Sequence, residues 1–487
     1  MKLIIFLHRW LGTVVCLFFF LWFASGIVMM YAQMPQLSRD ERLAALPPLD
    51  AARARLSAAE AMDRAQLDYF SDIRLTSLFG RPVWSIRADG TWYTVFADTG
   101  QVKTAFPYEE TQPSIQPFLT AGAKPRLIAS LTEPDQWTVG GNYRTLRPLY
   151  HLALDDPAGT ELYIASTTGQ VVLRSTARTR MLAWAGAIPH WFYLTGIRKH
   201  AAFWRQLVIW VSGTGCVVAL LGLAVGIWRS SPSKRYFVRL YNRHTWSPYV
   251  GVMRWHHWGG LIFGTITFTW VFSGLLSVDP GYYSSGSSPG PEQVGAFEGD
   301  ALDYTAFDAS PALLIGLYPW AKEIQLGQVD GRPYYLVISP QQQQELVDAT
   351  GKPAPDFSHD FLITAAKRAV PQGNIVEQIV LNEYDAYYYD RLRQAPPLPV
   401  LRLKFDDPAQ TWLYVDPRRG EIAARYERAG RVERWLYHGL HSWDFPFLYR
   451  FRPAWDIVVI ALSLGGIFLS IIGVVIGYRV LKRTLLR

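Results

Sequence analysis

The sequence predicts an α-helical four-helix transmembrane bundle carrying two pseudo-symmetric α+β lobes, with the second half of the chain an internal duplication of the first. Three observations predict it: four long apolar runs, basic residues gathered into the segments that share one side of a membrane, and residue matches between the halves that hold register. The 487 residues are half hydrophobic. Apolar runs of the roughly 20 residues that cross a bilayer divide the chain in order. Residues 1–31 form helix 1, 32–205 a polar lobe, 206–228 helix 2 and 229–256 a basic loop. Residues 257–278 form helix 3, 279–455 a second lobe, 456–478 helix 4 and 479–487 a tail. The first run is longer than a signal-peptide core and shows no clear small-residue cleavage site, so it is expected to remain as an anchor.

Charge sets the orientation. The loop between helices 2 and 3 holds Arg229, Lys234, Arg235, Arg239, Arg243 and Arg254 and no acid. Lys2 and Arg9 lie at the N-terminal end of helix 1, before its apolar run, and Arg479, Lys482, Arg483 and Arg487 follow helix 4. Four crossings put all twelve on one side, which the positive-inside rule makes cytoplasmic. Removing these twelve from 48 basic residues leaves 36 against 40 acidic ones. The net charge of +8 is therefore topological and does not indicate nucleic acid. Cys16 and Cys216 both fall in spans, so no disulfide framework supports the lobes; both suit inert buried thiols.

His8, Trp10, Gly12, Ser25 and Gly26 recur 248 residues later as His256, Trp258, Gly260, Ser273 and Gly274. The offset then becomes 251: RPVWSIRADGTWYTVFADTG (81–100) matches RPYYLVISPQQQQELVDATG (332–351), and DDPAGTELYIASTTG (155–169) matches DDPAQTWLYVDPRRG (406–420). Trp184, His190 and Trp204 map onto Trp435, His441 and Trp455, and Ser212, Gly215, Gly222 and Gly226 onto Ser463, Gly466, Gly473 and Gly477. Within the first lobe, local signals place a short helix at 56–68 behind a Ser cap and a hairpin through the D-G turn of 81–100. The DDP…TG segment reads as another hairpin, and GSSPG (286–290) and APPLP (395–399) as loops.

Ten histidines are present, and four hold matched places at membrane boundaries. His8 and His256 mark the inner ends of helices 1 and 3; His190 and His441 precede helices 2 and 4 on the outer side. One interfacial imidazole is explained by a carbonyl or a lipid headgroup. Two matched pairs have the layout of two stacked metal centres. No Cys or acid accompanies them, so zinc and di-iron carboxylate sites lack their ligands. Paired neutral imidazoles across a bundle suit the axial positions of haem iron. His257, beside His256, and His438, one turn from His441, are alternates. His151, His200, His244 and His359 lack equivalent histidines and are expected to be structural. Arg144, Arg147, Arg391 and Arg393 lie in the lobes, where a propionate, an anionic substrate or water would each satisfy them. EYDAYYYDRLR (383–393) gathers Tyr384, Tyr387, Tyr388 and Tyr389; Tyr387, Tyr388 and Arg391 are its candidate substrate contacts, although tyrosine is also an ordinary strand residue.

HRWLG and HHWGG opening the odd spans, RPVW…ADTG in the first lobe, DDP…LY…TG before the even spans, and AIPHWF and YHGLHSW together resemble the PepSY-associated transmembrane helix family over essentially the whole chain. The resemblance implies PepSY-like periplasmic lobes and two b-type haems in a bacterial inner-membrane ferric-siderophore reductase, N-terminus and C-terminus inside. It implies electrons from quinol or a cytoplasmic reductase and a ferric chelate as acceptor. No nucleotide-binding signature is present, so the electrons must come from another molecule. The alternatives are a non-redox PepSY binding or regulatory protein and a transporter component of iron uptake. The apolar cores of the spans lack Asp, Glu and Lys, which ion-coupled transport pathways commonly use. Single cysteines introduced at Ser230 and Thr350 should react with an impermeant maleimide from opposite sides of the membrane; labelling from the same side overturns the topology.

Overall fold

The structure, a computed structural model, describes residues 2–281, 284, 286–299, 302–341, 343–390 and 395–486. The chain divides into two units: Met1–Met34, Met181–Ser285 and Ala429–Arg487 form one, and Pro35–Arg180 with Gly286–Arg428 the other.

Four long helices build the first unit: α1 (Lys2–Met29), α2 (Ala201–Trp228), α3 (Gly251–Leu276) and α4 (Ala454–Leu485). Their 26 to 32 residues, at about 1.5 Å rise each, exceed the thickness of a bilayer core. Each carries an apolar run without proline, so nothing interrupts the backbone ladder. Helices α3 and α4 begin earlier than their apolar runs suggest, and His256 therefore lies within α3 rather than in the loop before it. Helix α1 packs against α2 and α4, and α3 against the same two, which sets α1 and α3 diagonally across the bundle. Phe19 and Phe23 of α1, Cys216 and Val218 of α2, Trp270 and Val271 of α3, and Trp455 and Val459 of α4 fill the centre. Gly466 admits Phe23, whose ring would lie 2.6 Å from an added Cβ. A short helix, Ala187–Trp191, packs on α1 before α2 begins. Before α4, a π-helical turn Arg434–Gly439 leads into Leu440–Ser442, and both pack on α3.

The second unit is antiparallel β with short helices. Its first half holds β1 (Asp72–Leu78), β2 (Arg81–Ala88), β3 (Thr91–Phe96), β4 (Val102–Lys103), β5 (Pro125–Leu131), β6 (Leu149–Leu154), β7 (Glu161–Ala165) and β8 (Val171–Ser175). Its second half holds β9 (Glu323–Val329), β10 (Arg332–Ile338), β11 (Gln344–Asp348), β12 (Ile375–Leu381), β13 (Val400–Phe405), β14 (Trp412–Asp416) and β15 (Glu421–Tyr426). The D-G turn is as the sequence predicts: Asp89 and Gly90 both take positive φ between β2 and β3. The helix read at 56–68 forms over Ala58–Ala65, with Ser57 and Glu60 making a capping box.

The two lobes share a sheet. β1 pairs with β9, giving one seven-stranded sheet in the order β11-β10-β9-β1-β2-β3-β4, while β5–β8 and β12–β15 form separate four-stranded sheets. Pairing β1 with β9 covers two edges that separate meanders would expose, and it buries Leu75 against Ile324, neither of which is solvent-accessible. Sequence matching between halves pairs equivalents with equivalents but carries no signal that the two also join.

At that junction Glu323 is fully buried, accepting from Arg42 at 2.8 Å and from Gln325 at 2.7 Å, with Arg74 4.0 Å away. Burial raises its pKa, but the Arg42 and Arg74 guanidiniums and the hydrogen bonds outweigh it, leaving it below the usual 4.5. Replacement by Ala should destabilise the protein by about 3 kcal/mol, the lower end for a broken buried pair, because both arginines keep 21% exposure. A depressed folded pKa stabilises above 4.5 and loses that contribution as the pH falls through the folded value. The Tm of the full chain should therefore drop on acidification below the ordinary carboxylate value of 4.5. Glu323→Gln should flatten that part of the profile, and an unchanged profile counts against the assignment.

Candidate functional site

His8 stands in the second turn of α1 and His256 in the second turn of α3, so the diagonal placement of these helices brings the rings face to face. Their centroids are 6.1 Å apart with planes at 40°. His8 Nδ1 lies 3.0 Å from the Val218 carbonyl. A carbonyl oxygen can only accept, so the His8 proton sits on Nδ1 and the lone pair on Nε2. Gly222 makes room for this ring: an added Cβ would lie 2.6 Å from His8 Cε1. Gly226, one turn on, instead faces Leu261, and Gly473 and Gly477 of α4 face Cys16 and Thr13. Those three are ordinary helix contacts. His256 Nδ1 is buried without a hydrogen-bond partner among the described residues.

His257 points elsewhere. Its Nε2 is 2.9 Å from the Gly226 carbonyl and its Nδ1 2.8 Å from Ser247 Oγ. The carbonyl requires a proton on Nε2, which leaves Nδ1 to accept from the serine. Both nitrogens are thus committed, and Trp246 and Tyr249 pack on the ring, each 5.4 Å away. His257 ties the basic loop to α2 and α3.

The second pair forms at the opposite ends of α1 and α3. His190, on the short helix Ala187–Trp191, and His441, on Leu440–Ser442, have centroids 6.0 Å apart with planes at 73°. His190 Nδ1 is 3.0 Å from Ser25 Oγ; His441 Nδ1 is 3.1 Å from Ser273 Oγ and 3.2 Å from the Trp270 carbonyl. His438 lies one turn earlier, its ring against Tyr437 at 4.6 Å, while His441 meets His190. Arg434, the first residue of the π-helical turn that carries His438, forms a buried ion pair with Asp444, beyond Leu440–Ser442, at 2.8 Å. Along α1, His8 and Ser25 are 17 residues apart, a rise of about 26 Å.

These pairs pass a simple fit test. Two metal–nitrogen bonds of about 2 Å, plus about 1 Å from each nitrogen to its ring centre, put the centroids of imidazoles sharing one metal about 6 Å apart. No group of three or more His, Cys, Asp or Glu suited to a bare metal ion occurs among the described residues. Two imidazoles at this spacing would leave the remaining positions of a shared metal to be filled by its own ligand, as a haem macrocycle fills them.

The other candidates fall in the β unit or at edges. His151 stacks on Tyr163 at 4.3 Å and bonds Glu161 at 2.9 Å; His200 precedes α2 without a side-chain capping bond; His244 meets Phe237; His359 opens an exposed helix turn. Arg147 donates to the Thr138 carbonyl, and Arg144 is exposed. Tyr388 is 3% exposed, stacked on Tyr414, with its hydroxyl on the Pro397 carbonyl; it is a core residue of its lobe. Tyr384 likewise bonds the Pro396 carbonyl. Tyr387 packs edge-on against Trp412 and stays half-buried. Arg391 and Arg393 lie outside the described residues.

Four apolar helices long enough to cross a membrane, joined to β-sheet lobes, define a membrane protein with polar lobes inserted between its helices. The chain belongs to the family described as the PepSY-associated TM region, whose match runs over residues 6–479. No curated protein and no solved structure matches it. Gly222→Ala should force His8 from its place and lower the stability of the purified protein by about 1–3 kcal/mol, the cost of overpacking. Gly260→Ala, with nothing within 4 Å of its added Cβ, should lie within about 0.5 kcal/mol of wild type; equal melting temperatures for the two variants would refute the close approach.

Proposed function

We propose that the chain is a bacterial inner-membrane di-haem b electron-transfer protein that reduces ferric iron held by a siderophore on the periplasmic side. The observation that carries this is the pair of facing imidazoles at each end of one apolar bundle, 6.1 and 6.0 Å between ring centres. His8 and His256 would hold one haem, and His190 and His441 the other; the matched positions at offsets 248 and 251 support a duplicated origin. When bound, each haem would supply a one-electron ferric–ferrous couple. The chain's own part is to aim the Nε2 lone pairs inward, exclude water with Phe19, Phe23 and Trp270, and export two lobes to the side of the acceptor. The substrate iron gains one electron and becomes ferrous; quinol or a cytoplasmic reductase supplies it. Of the two candidate tyrosines, Tyr387 keeps partial exposure that would leave it open to a chelate, whereas Tyr388 is buried.

Protein made with ample haem should give a pyridine-haemochrome signal of about two haems per chain, and His8→Ala or His441→Ala should each remove about one. Dithionite-reduced protein without oxygen should be reoxidised by a ferric siderophore, with ferrous iron trapped by ferrozine. A colourless wild-type protein would leave the non-redox binding protein or the transporter component. Haems that stay reduced in excess ferric chelate would rule out the reductase alone.

A further inference from the structure

We infer that Ser25 and Ser273 are positioning residues that hold His190 and His441 with Nε2 as the free lone pair; this rests on the haem reading of that pair. Hydrogen bookkeeping carries it. Each serine hydroxyl has one proton to give. Ser25 gives its proton to the Leu21 carbonyl at 2.6 Å, with the Trp22 carbonyl at 3.2 Å. Its 3.0 Å contact with His190 Nδ1 must then be one in which the serine oxygen accepts. Ser273 gives its proton to the Trp270 carbonyl at 2.9 Å and sits 3.1 Å from His441 Nδ1. His441 Nδ1 also lies 3.2 Å from that same carbonyl, which cannot donate. Both rings therefore carry the proton on Nδ1.

Each serine is followed by a glycine that completes the seat. An added Cβ at Gly26 would stand 3.5 Å from His190 Cε1, and one at Gly274 would stand 3.4 Å from His441 Cε1. Ser25 and Ser273 are 1% and 0% exposed, so water does not substitute for them. A serine inside a helix often bonds only its own carbonyls, and such a serine would matter for stability alone. The imidazole contact on both, at matched positions of two different helices, sets these apart. The other pair gives an internal control, since His8 relies on the Val218 backbone carbonyl and His256 Nδ1 has no partner among the described residues.

A hydrogen bond from Nδ1–H makes the imidazole a more basic ligand and favours the ferric state. Its loss should weaken ferric binding relative to ferrous about tenfold, which is about 59 mV upward for a one-electron couple. The test is optical redox potentiometry of full-length, haem-loaded protein. Ser25→Ala and Ser273→Ala should each raise one of the two couples by about that amount and leave the other in place, and Ser→Thr at either position should return it toward wild type. Loss of about one haem, restored by Thr, supports the same role. Should an Ala variant fail to fold, Ser→Cys, similar in size with a weak acceptor, carries the same expectation. Unmoved couples, equal shifts of both, or loss of both haems would overturn the inference while the two haems of the wild type left the functional reading intact. A wild type without haem would remove that reading itself.

Discussion

An imidazole inside an apolar helical bundle needs a partner for its N–H and space for its ring, and this constraint organises the membrane unit. The partners come from helix carbonyls and hydroxyls: Val218 for His8, Ser25 for His190, Ser273 and Trp270 for His441. For His8 the space comes from Gly222; an added Cβ at Gly26 or Gly274 would only touch the rings of His190 and His441. Because each partner sits on a different element from its histidine, the bonds tie α1 to α2, α1 to the helix before α2, and α3 to the turn before α4. Changing helix register by one residue would rotate a partner by about 100° and leave a buried N–H unpaired.

The two ends of the bundle meet this constraint differently. His8 and His256 ride on long helices whose packing sets their position. His190 and His441 ride on short segments that would be marginal alone, so their placement depends on local anchors. In the segment with His441, the anchor is the Arg434–Asp444 pair, with side chains 1% and 2% exposed. It spans the segment from the start of a π-helical turn, a form of helix often found at functional sites, to the residue two beyond Leu440–Ser442. The segment with His190 has no such pair, since the positions matching Arg434 and Asp444 are Ala183 and Tyr193. There Gly186 breaks the helix, and Trp204 donates to the Trp191 carbonyl at 2.7 Å. Trp455 makes the equivalent bond to Ser442 at 2.9 Å.

In the β unit a buried phenol–carboxylate bond recurs. Tyr163 donates to Asp135 at 2.6 Å, and Tyr414 to Asp385 at 2.8 Å. Burial first, and then the carboxylate, raise both phenols well above their usual range, which keeps the proton on the tyrosine. Each aspartate also accepts backbone N–H groups of its own loop. The EYD stretch is therefore largely a loop lock: Asp385 bonds Tyr414 and Arg402, and Tyr384 and Tyr388 cap the carbonyls of Pro396 and Pro397.

The sequence by itself determined the four helices and the order of lobes between them, and it singled out His8, His256, His190 and His441 as matched positions with His257 and His438 as alternates. It could do so because apolar length is a local property and repeat register survives in one dimension. The D-G hairpin and the Ser57–Glu60 box were legible for the same reason, being chemistry between near neighbours. Only the tertiary structure decided between His256 and His257, because adjacent residues differ by a helical rotation whose reference is another helix. It alone brought His441 rather than His438 against His190, joined the lobes through β1 and β9, and set Ser25 and Ser273 beside the rings of His190 and His441. Those outcomes depend on contacts between residues far apart in the chain, such as 25 and 190 or 74 and 325, which neither composition nor periodicity encodes.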